Sequence, residues 1–282
     1  MQLCNKKNGP KQDKFINEAN EDRLTLSFYK YAYIKNPVHL KNYLFTAWKK
    51  IDILGRIYIA YEGINAQLSV PAKQYDELKK IINDISFLRE VRFNIAVKQH
   101  AKSFYKLRIK VRPKIVADGL NDNEFDITDS GTHVDAKQFN QLIEDPETLL
   151  IDMRNHYESE IGHFKNAITL DVDTFRDSLS TVEKKFELHK KNKKLLMYCT
   201  GGIRCEKASA YFKHIGFIDV YQLEGGIVAY AKQVKSENLP NKFTGKNFVF
   251  DQRFNEKISD DVIAKCHQCG KPCDQHTNCI ND

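Results

Sequence analysis

Hydrophobic residues in the first third of the chain recur with two different periods. They alternate with polar residues over residues 26–33, 57–61, 66–70, 91–97 and 107–111, a pattern that predicts five strands. Over residues 38–51, and again from Pro71 through Ile82, they fall at helical spacing behind a proline. Residues 62–65 are typical of a hairpin between two of the strands. The predicted order is therefore β-α-β-β-α-β followed by one more strand.

An antiparallel sheet with both helices on one face is the simplest arrangement of these elements. We therefore expect an α+β domain of the ferredoxin-like, or acylphosphatase-like, kind over residues 24–117. Residues 1–23 contain little that a core could bury and are expected to form a flexible tail. Residues 118–132, rich in Asp, Asn and Gly, are interpreted as a linker.

Strands and helices alternate over residues 133–238, which favours an α/β domain with a parallel sheet. In this domain the apolar run of residues 195–198 ends at Cys199, and a short loop leads from there to a helical pattern. The loop consists of Thr200, Gly201, Gly202, Ile203 and Arg204. A thiol between strand and helix lies at the carboxyl end of the strand, where ligands bind in α/β proteins.

The environment predicted for Cys199 favours the thiolate over the thiol. Loop amides, the N-terminus of the following helix and the guanidinium of Arg204 all bring positive charge to the sulfur. A thiol of lowered pKa is a nucleophile, so Cys199 and Arg204 are the candidate catalytic residues. The alternative is a buried strand cysteine without a chemical role. Cys205 is either a resolving thiol for an oxidised Cys199 or simply a residue of the first helical turn.

The motif Cys199-x-x-Gly202-x-Arg204 resembles the active-site loop of the rhodanese superfamily. Two other segments agree with that superfamily in the same order. The upstream one is residues 149–154 followed by Glu158 and residues 162–167, and the downstream one is residues 221–226, which end in a Gly-Gly turn. The resemblance implies a rhodanese-like domain over residues 133–238.

Three charged residues of the upstream segment are interpreted as supports of the loop rather than as catalysts. They are Asp152, Arg154 and Glu158. Four residues separate Cys199 from Arg204, one fewer than in the related phosphatases. A tighter ring of amides suits a sulfur-sized or planar electrophile better than a phosphate, which disfavours phosphatase activity.

The composition and the placement of the cysteines indicate the cellular compartment. The chain has 282 residues, 41% hydrophobic and 29% charged, which is enough for two globular domains, and no apolar run approaches the length of a membrane span. One of its seven cysteines is near the start, two are at the loop and four are in the last 17 residues. This clustering fits catalytic or metal-binding thiols in a reducing compartment better than a disulfide framework. We expect a cytoplasmic protein without a membrane partner.

The net charge of +7 is modest, but it is unevenly distributed. Residues 91–117 contain eight Lys or Arg residues and no acid. Five of these cations occupy every second position: Lys106, Arg108, Lys110, Arg112 and Lys114. A strand would place all five on one face, which predicts an RNA-binding surface with Phe104 and Tyr105 beside it to stack on bases. The alternative is an edge strand whose charges prevent aggregation.

The C-terminal residues 239–282 form a Cys-rich extension. Its thiols are those of Cys266, Cys269, Cys273 and Cys279, with His267 and His276 between them. Such a set is compatible with a zinc site of four thiolates, or of three thiolates and a histidine. The irregular spacing fits an unliganded, thiol-rich terminus equally well.

Segments outside the loop extend the resemblance to a narrower family. Residues 61–65, 106–116, 199–208, 248–253 and 266–270 together resemble the bacterial rhodanese-related tRNA uridine hydroxylases. The resemblance runs from residue 24 to the C-terminus, although the sequence lacks the further cysteines that this family tends to carry after Cys279. It implies a tRNA-modifying enzyme that forms 5-hydroxyuridine at the wobble position of the anticodon loop. It also implies molecular oxygen as co-substrate and no organic cofactor.

Hydroxylation of uracil at C5 requires that carbon to become nucleophilic. Addition of the Cys199 thiolate to C6 would achieve this by forming an enolate, and Arg204 with the loop amides would stabilise the developing charge. The alternative enzyme is a rhodanese-type sulfurtransferase that carries a persulfide on Cys199. The basic domain favours the hydroxylase because a small sulfur acceptor would not require it. The retained cysteine, glycines and arginine disfavour a third hypothesis, an RNA-binding module with an inactive loop.

Overall fold

The computed structural model describes residues 22–100 and 103–275. Its first domain contains a mixed five-stranded sheet and two helices. The elements are β1 (Arg23–Tyr31), α1 (Pro37–Lys50), β2 (Leu54–Ala60), β3 (Gly63–Pro71), α2 (Tyr75–Asn83), β4 (Asn94–Ile95) and β5 (Leu107–Val111). The strand order is β4-β1-β3-β2-β5, so the first four strands have the predicted ferredoxin-like arrangement.

Three details of this domain differ from the sequence prediction. The sheet is not wholly antiparallel, because β5 joins β2 in parallel. Pro71 ends β3, and a short 3₁₀ turn, Ala72–Gln74, separates it from α2. The strand expected over residues 91–97 is reduced to the two residues of β4. Ala96 still donates to the Thr25 carbonyl of β1 at 2.9 Å, but the Thr25 N–H donates to the side chain of Gln99 at 2.6 Å, so the ladder does not continue.

The two faces of this sheet have opposite character. One face packs Leu26, Phe28, Ile57, Ile59 and Leu68 against Leu44, Trp48, Leu78 and Ile82 of the helices. The opposite face presents the alternate residues of β1, β2 and β3, and we call it the open sheet face. It comprises Ser27, Tyr29, Arg56, Tyr58, Asn65 and Gln67. Strand alternation places these polar side chains away from the helices and toward the second domain.

The second domain is an α/β unit with a parallel sheet, as predicted. Its elements are β6 (Thr132–Val134), α3 (Ala136–Leu142), β7 (Thr148–Asp152), α4 (His156–Glu160), β8 (Gly162–Phe164), α5 (Phe175–Phe186), β9 (Lys194–Tyr198), α6 (Ile203–His214), β10 (Asp219–Leu223) and α7 (Gly226–Ser236). The sheet order is β6-β10-β9-β7, and all pairings are parallel. Leu195 and Met197 of β9 enter one core and Leu196 and Tyr198 the other, so apolar side chains cover both faces.

The C-terminal extension joins both domains. Its strands β11 (Phe243–Phe248) and β12 (Asn255–Lys257) form an antiparallel three-stranded sheet with β8. The side chain of Glu256 in β12 accepts a hydrogen bond from the backbone N–H of Val97 at 3.1 Å, so the extension also contacts the first domain. Within the described residues, no helix combines the length and apolarity that a bilayer crossing requires.

Candidate active site between the domains

Cys199 is the first residue after β9 and is only 1% exposed. The loop that follows turns back over the sulfur, so that the backbone N–H of Gly202 donates to Cys199 Sγ at 3.2 Å. Gly202 is the N-cap of α6 and has a φ of +98°, a backbone conformation that suits glycine. The thiol therefore lies at the carboxyl end of a buried strand and faces the N-terminus of a helix.

Burial would raise the pKa of the Cys199 thiol, but neighbouring groups outweigh it. A hydrogen bond from the Cys205 thiol, the positive charge of Arg204, and the backbone N–H groups of Cys205 and Gly202 lower the pKa to about 5. Burial, and then the negative charge of Cys199, raise the pKa of Cys205 well above its ordinary value. At neutral pH Cys199 is therefore a thiolate that accepts a hydrogen bond from a neutral Cys205.

We predict that Cys205→Ala raises the pKa of Cys199, whereas Cys205→Ser preserves it. Alanine removes the S–H donor, while the serine hydroxyl replaces it, so only alanine weakens stabilisation of the thiolate. The pH dependence of iodoacetamide alkylation at Cys199, followed by peptide mass spectrometry, measures the pKa. Equal values for the wild type and the alanine variant would show that the thiol of Cys205 is not a donor to Cys199.

Arg204 is held beside the loop by a buried ion pair with Glu158 of α4. Its two terminal nitrogens donate to the two Glu158 oxygens at 2.6 and 2.9 Å. Arg204 is 8% exposed and Glu158 is 0% exposed. The guanidinium also lies 3.4 Å from the Thr200 hydroxyl. Arg204 therefore acts on Cys199 through its charge, while its hydrogen bonds to Glu158 and Thr200 fix the shape of the loop.

Asp152 and Arg154 lie behind the loop and do not hydrogen-bond to it. Arg154 Nη2 donates to Asp152 at 2.6 Å and to the carbonyl of Gly162 at 2.6 Å. The Tyr198 hydroxyl donates to Asp152 at 2.7 Å. This cluster links the ends of β7, β8 and β9 just before Cys199. Of the three residues predicted to support the loop, Glu158 is the one that contacts loop side chains, and the supporting role of all three stays a prediction.

The N-terminus of α7 supports the loop from below. The backbone N–H groups of Ile227 and Val228 donate to the carbonyls of Cys199 and Thr200 at 3.0 and 3.2 Å. Gly226, the first residue of α7, has a φ of +65°. A Cβ atom at this position would be 2.5 Å from the Cys199 carbonyl oxygen. The loop and the helix can approach this closely only because residue 226 has no side chain.

The first domain contacts the same loop from above. Asn94 Nδ2 donates to the Gly201 carbonyl at 3.0 Å, and the Tyr31 hydroxyl lies 3.4 Å from the Ile203 carbonyl. The Tyr29 hydroxyl donates to Glu206 at 3.2 Å. Sequence reasoning did not identify these residues as part of the site. The alternation in β1 indicated that both tyrosines share a face, but nothing in the sequence indicated that this face meets the loop.

A cavity of about 370 Å³ lies between the open sheet face, the Cys199 loop and the C-terminal extension. Cys199, Thr200, Gly201 and Arg204 line it on one side, and the open sheet face lines it on the other. Phe250 and Arg253 of the extension complete the wall. This volume lies within the usual range for small-molecule sites and suits a nucleobase.

The basic strand contributes four cations to the surface rather than the five expected. Arg108 and Lys110 are exposed on β5, and Lys106 and Arg112 are exposed beside it. Among the described residues, no carboxylate lies within 4.0 Å of any of them. Lys114 is different, because β5 ends at Val111 and the chain then turns inward. Its Nζ lies 2.5 Å from Asp118 and 2.8 Å from Asp122.

The two aromatic residues predicted to stack on bases differ in exposure. Phe104 is 8% exposed and lines the interdomain cavity, so it is not a surface platform. Tyr105 is half-buried beside β5. Its predicted contact with RNA stays a prediction.

The predicted zinc ligands are only partly described. Cys266, Cys269 and Cys273 lie in a small turn in which the N–H of Cys266 donates to Lys271 and that of Gly270 donates to Cys266, both at 2.8 Å. Backbone N–H groups of Cys269 and Gln268 lower the pKa of Cys266. Cys279 lies outside the described residues, as does His276. The zinc site stays a prediction.

One group of three candidate metal ligands does occur in the described part of the chain, at the domain interface rather than in the extension. It comprises Glu62, Asp118 and Asp122. The buried Lys207 occupies its centre, with Nζ 2.7 Å from Glu62 and 2.5 Å from Asp122. The group is therefore a salt-bridge cluster, and it ties the expected linker to both domains.

Three family models match successive parts of the chain. They are the UPF0176 acylphosphatase like domain at residues 23–115, the rhodanese-like domain at residues 135–233 and the rhodanase C-terminal region at residues 244–282. Among solved structures, the rhodanese-like domain of the Anabaena sp. Alr3790 protein is 20% identical with a TM-score of 0.33 and covers 40% of this chain and 78% of its own. A rhodanese-like domain protein from Staphylococcus aureus is 25% identical with a TM-score of 0.29 and covers 35% and 90%.

Curated relatives match almost the whole chain. A protein of Yersinia pestis (strain Pestoides F) named tRNA uridine(34) hydroxylase is 54% identical over 263 residues, which is 93% of this chain and 74% of that protein. A protein of the same name from Erwinia tasmaniensis is 52% identical over 263 residues, which is 93% of this chain and 75% of that protein.

Proposed function

We propose that this protein, which belongs to the tRNA uridine(34) hydroxylase family, hydroxylates C5 of uridine 34 in tRNA with Cys199 as the nucleophile. The observation that carries the proposal is the low-pKa thiolate of Cys199 in the wall of an interdomain cavity large enough for a nucleobase. A wobble base in the anticodon loop is unpaired, so its entry into such a cavity costs little unpairing energy. A tRNA substrate also fits the expected cytoplasmic location.

The first chemical step activates the pyrimidine ring. The Cys199 thiolate adds to C6, the C5–C6 double bond opens, and the electron pair is delocalised over C5 and O4 as an enolate. The amide of Gly202 and the positive charge of Arg204 stabilise the thiolate before addition and the adduct's negative charge afterwards. Because Arg204 is fixed by Glu158, this charge is in place before the substrate arrives.

Oxygen enters at the activated C5 carbon. Molecular oxygen accepts the enolate electrons and, with one proton, gives a C5 hydroperoxide on the ring. The thiol of Cys205 takes the outer oxygen as a sulfenic acid and leaves the C5 hydroxyl group. Loss of the C5 proton then expels Cys199 from C6, and the released thiolate condenses with the sulfenic acid to a disulfide and water. Uridine, oxygen and two thiols therefore yield 5-hydroxyuridine, water and one disulfide, which an external thiol reduces.

The basic strand supports the docking of the tRNA backbone. Lys106, Arg108, Lys110 and Arg112 are exposed and free of carboxylate partners within the described ranges, so their charge is available to phosphates. Arg108 lies in register with Arg56 of β2, which lines the cavity. A strand bound along its phosphates at β5 would therefore have its bases directed toward the Cys199 loop.

We predict that Arg108→Ala combined with Lys110→Ala weakens tRNA binding and reduces its salt dependence. Each lost phosphate contact lowers the slope of log affinity against log salt by about 0.7 to 0.9, so the double variant should lose about 1.5. The measurement is filter binding of tRNA over a range of salt concentrations. The matched control is Lys184→Ala with Lys185→Ala on α5, which removes equal charge far from the basic strand. Equal effects from both pairs would contradict docking at β5.

The direct test of the function uses the purified protein, tRNA from a strain that lacks 5-hydroxyuridine, dissolved oxygen and dithiothreitol. Nucleoside mass spectrometry should detect 5-hydroxyuridine at position 34, with label incorporated from ¹⁸O₂ and not from H₂¹⁸O. A parallel reaction with labelled thiosulfate tests the sulfurtransferase. Thiolated nucleosides without any hydroxylated product would overturn the hydroxylase proposal and support sulfur transfer on Cys199.

A further inference from the structure

We propose that the open sheet face is the wall that reads the uracil base, and that the side-chain amide of Gln67 hydrogen-bonds the polar edge of the ring while Cys199 attacks C6. This inference rests on the proposed function and deepens it by naming a residue that positions the substrate. Two observations support it. One is the strand register of the sheet, and the other is which of the side chains that line the cavity already have hydrogen-bond partners.

Strand pairing places Gln67 in the middle of a row that crosses the sheet. Ser27 of β1 pairs with Gln67 of β3, which pairs with Arg56 of β2 on its other side. Arg56 in turn pairs with Arg108 of β5. Three strand spacings of about 4.8 Å make this row about 14 Å long. The row therefore leads from the first strand to the basic edge strand.

One end of the row touches the catalytic loop. Ser27 pairs with Asn94, whose side chain donates to the Gly201 carbonyl at 3.0 Å. A Cβ atom added at Gly201 would lie 3.8 Å from Ser27 Oγ. Gln67, one strand further, is thus placed beside the loop, on the way to the exposed cations of β5. A nucleotide whose base contacts Cys199 and whose phosphates contact β5 must pass over it.

The polar side chains around the cavity differ in whether they are already bonded. Asn94 donates to Gly201, Asn65 donates to the Ile115 carbonyl at 3.2 Å, and the Tyr29 hydroxyl is bonded to Glu206. The bonds of Asn94 and Tyr29 join the two domains, and the bond of Asn65 lies within the first domain. Gln67 is half-buried, and across residues 22–100 and 103–275 its side-chain amide has no hydrogen-bond partner. Its donor and acceptor are therefore available to a ligand in the cavity.

The amide group matches the edge of uracil chemically. The ring presents the O4 acceptor next to the N3–H donor, and a glutamine amide offers an N–H and a C=O side by side. Sequence-specific recognition of RNA uses such contacts to the Watson–Crick edge of an unstacked base. Phe250 and Tyr58, which also line the cavity, provide aromatic surfaces for the ring. A donor to O4 would further stabilise the enolate that forms there.

The test is Gln67→Leu, which keeps the side-chain size but removes both hydrogen-bonding groups. We expect kcat/KM for 5-hydroxyuridine formation on tRNA to fall about 10- to 100-fold. The dissociation constant for tRNA should stay within twofold, because phosphate contacts dominate it. The alkylation pKa of Cys199 should also be unchanged, which shows that the loop is intact. Gln141→Leu, on the exposed side of α3, is the matched control and should retain wild-type kinetics.

The outcomes separate this inference from the proposed function. Wild-type kinetics for Gln67→Leu, with product formed by the wild type, would overturn the role of Gln67 and leave the hydroxylase intact. An equal loss of tRNA affinity and of kcat/KM would also overturn it, since Gln67 would then act in docking. If the wild type forms no 5-hydroxyuridine, both proposals fail together. Gln67→Glu offers a second check, because a carboxylate cannot donate to O4 and should reduce kcat/KM at least as much.

Discussion

Replacing Cys199 by serine should abolish formation of 5-hydroxyuridine, with a fall in kcat/KM of about 10⁴-fold or more. The environment that lowers the pKa of this thiol to about 5 cannot ionise a serine hydroxyl at neutral pH. Serine is close in size to cysteine, so the buried loop should keep its shape and tRNA affinity should not change. The measurement is nucleoside mass spectrometry after reaction with purified tRNA, supported by a melting curve for each variant.

Cys4→Ser is the matched control for this substitution, because it makes the same chemical change outside the loop and outside the predicted zinc ligands. It should retain hydroxylation. A Cys199→Ser variant that keeps more than about 1% of wild-type activity would rule out the thiolate as the nucleophile. Loss of sulfur exchange from labelled thiosulfate without loss of hydroxylation would instead assign the cysteine to persulfide chemistry.

The same low pKa determines how the reaction of Cys199 should depend on pH. The thiolate is the reactive form, so alkylation and hydroxylation should be nearly independent of pH between about 6 and 8. Both should decline as the pH falls through about 5, where the thiol is protonated. A cysteine of ordinary pKa would show the opposite behaviour, with reactivity still rising above pH 8.

The second large effect is expected from Gly226→Ala. Its φ of +65° costs an L-residue roughly 1–2 kcal/mol, and the added Cβ would lie 2.5 Å from the Cys199 carbonyl oxygen and 2.6 Å from that of Thr200. Both contacts are with backbone, so relief requires the loop and the N-terminus of α7 to separate. We expect a loss of at least about 100-fold in kcat/KM, because the loop positions the nucleophile. The free energy of unfolding should fall by about 3 kcal/mol.

Gly216→Ala separates backbone strain from the contact with the loop. Gly216, just after α6, has a φ of +99°, and a Cβ there would meet no atom within 4 Å. This control should lose only the strain energy of roughly 1–2 kcal/mol and should keep full activity. Denaturant unfolding and the kinetic assay together distinguish the two variants. Full activity of Gly226→Ala would mean that close packing beneath the loop is not needed for catalysis.

The position of the active-site loop between the two domains explains why the basic domain and the cysteine occur in one chain. The loop is bonded from below by α7, from the side by Glu158 and from above by Asn94. An isolated α/β domain would lose the contact from above and the open sheet face. The cavity therefore requires both domains, and under the proposed function the placement of a base against Cys199 requires them too.

The sequence by itself determined the elements and identified the candidate nucleophile. Alternation and helical spacing depend on neighbours within a few residues, so they predicted the β-α-β-β-α-β order and the parallel sheet from local information. The loop from Cys199 to Arg204 is contiguous in sequence, so it could be recognised as a candidate site from local information as well. The errors arose where side chains compete with the backbone or with solvent. β4 is short because the side chain of Gln99 accepts the Thr25 N–H, and Lys114 leaves the basic row because Asp118 and Asp122 bind it.

The tertiary structure alone decided which surfaces meet. Tyr29, Asn94 and Gln67 were visible only as polar residues in the strand segments of the first domain, and their role depends on a loop more than 100 residues away. Pairing of strands fixes a row across the sheet, and packing of two domains places that row over a thiol. Neither the strand pairing nor the domain packing produces a periodic pattern or a contiguous motif in the sequence, because both depend on contacts between residues that are distant in sequence.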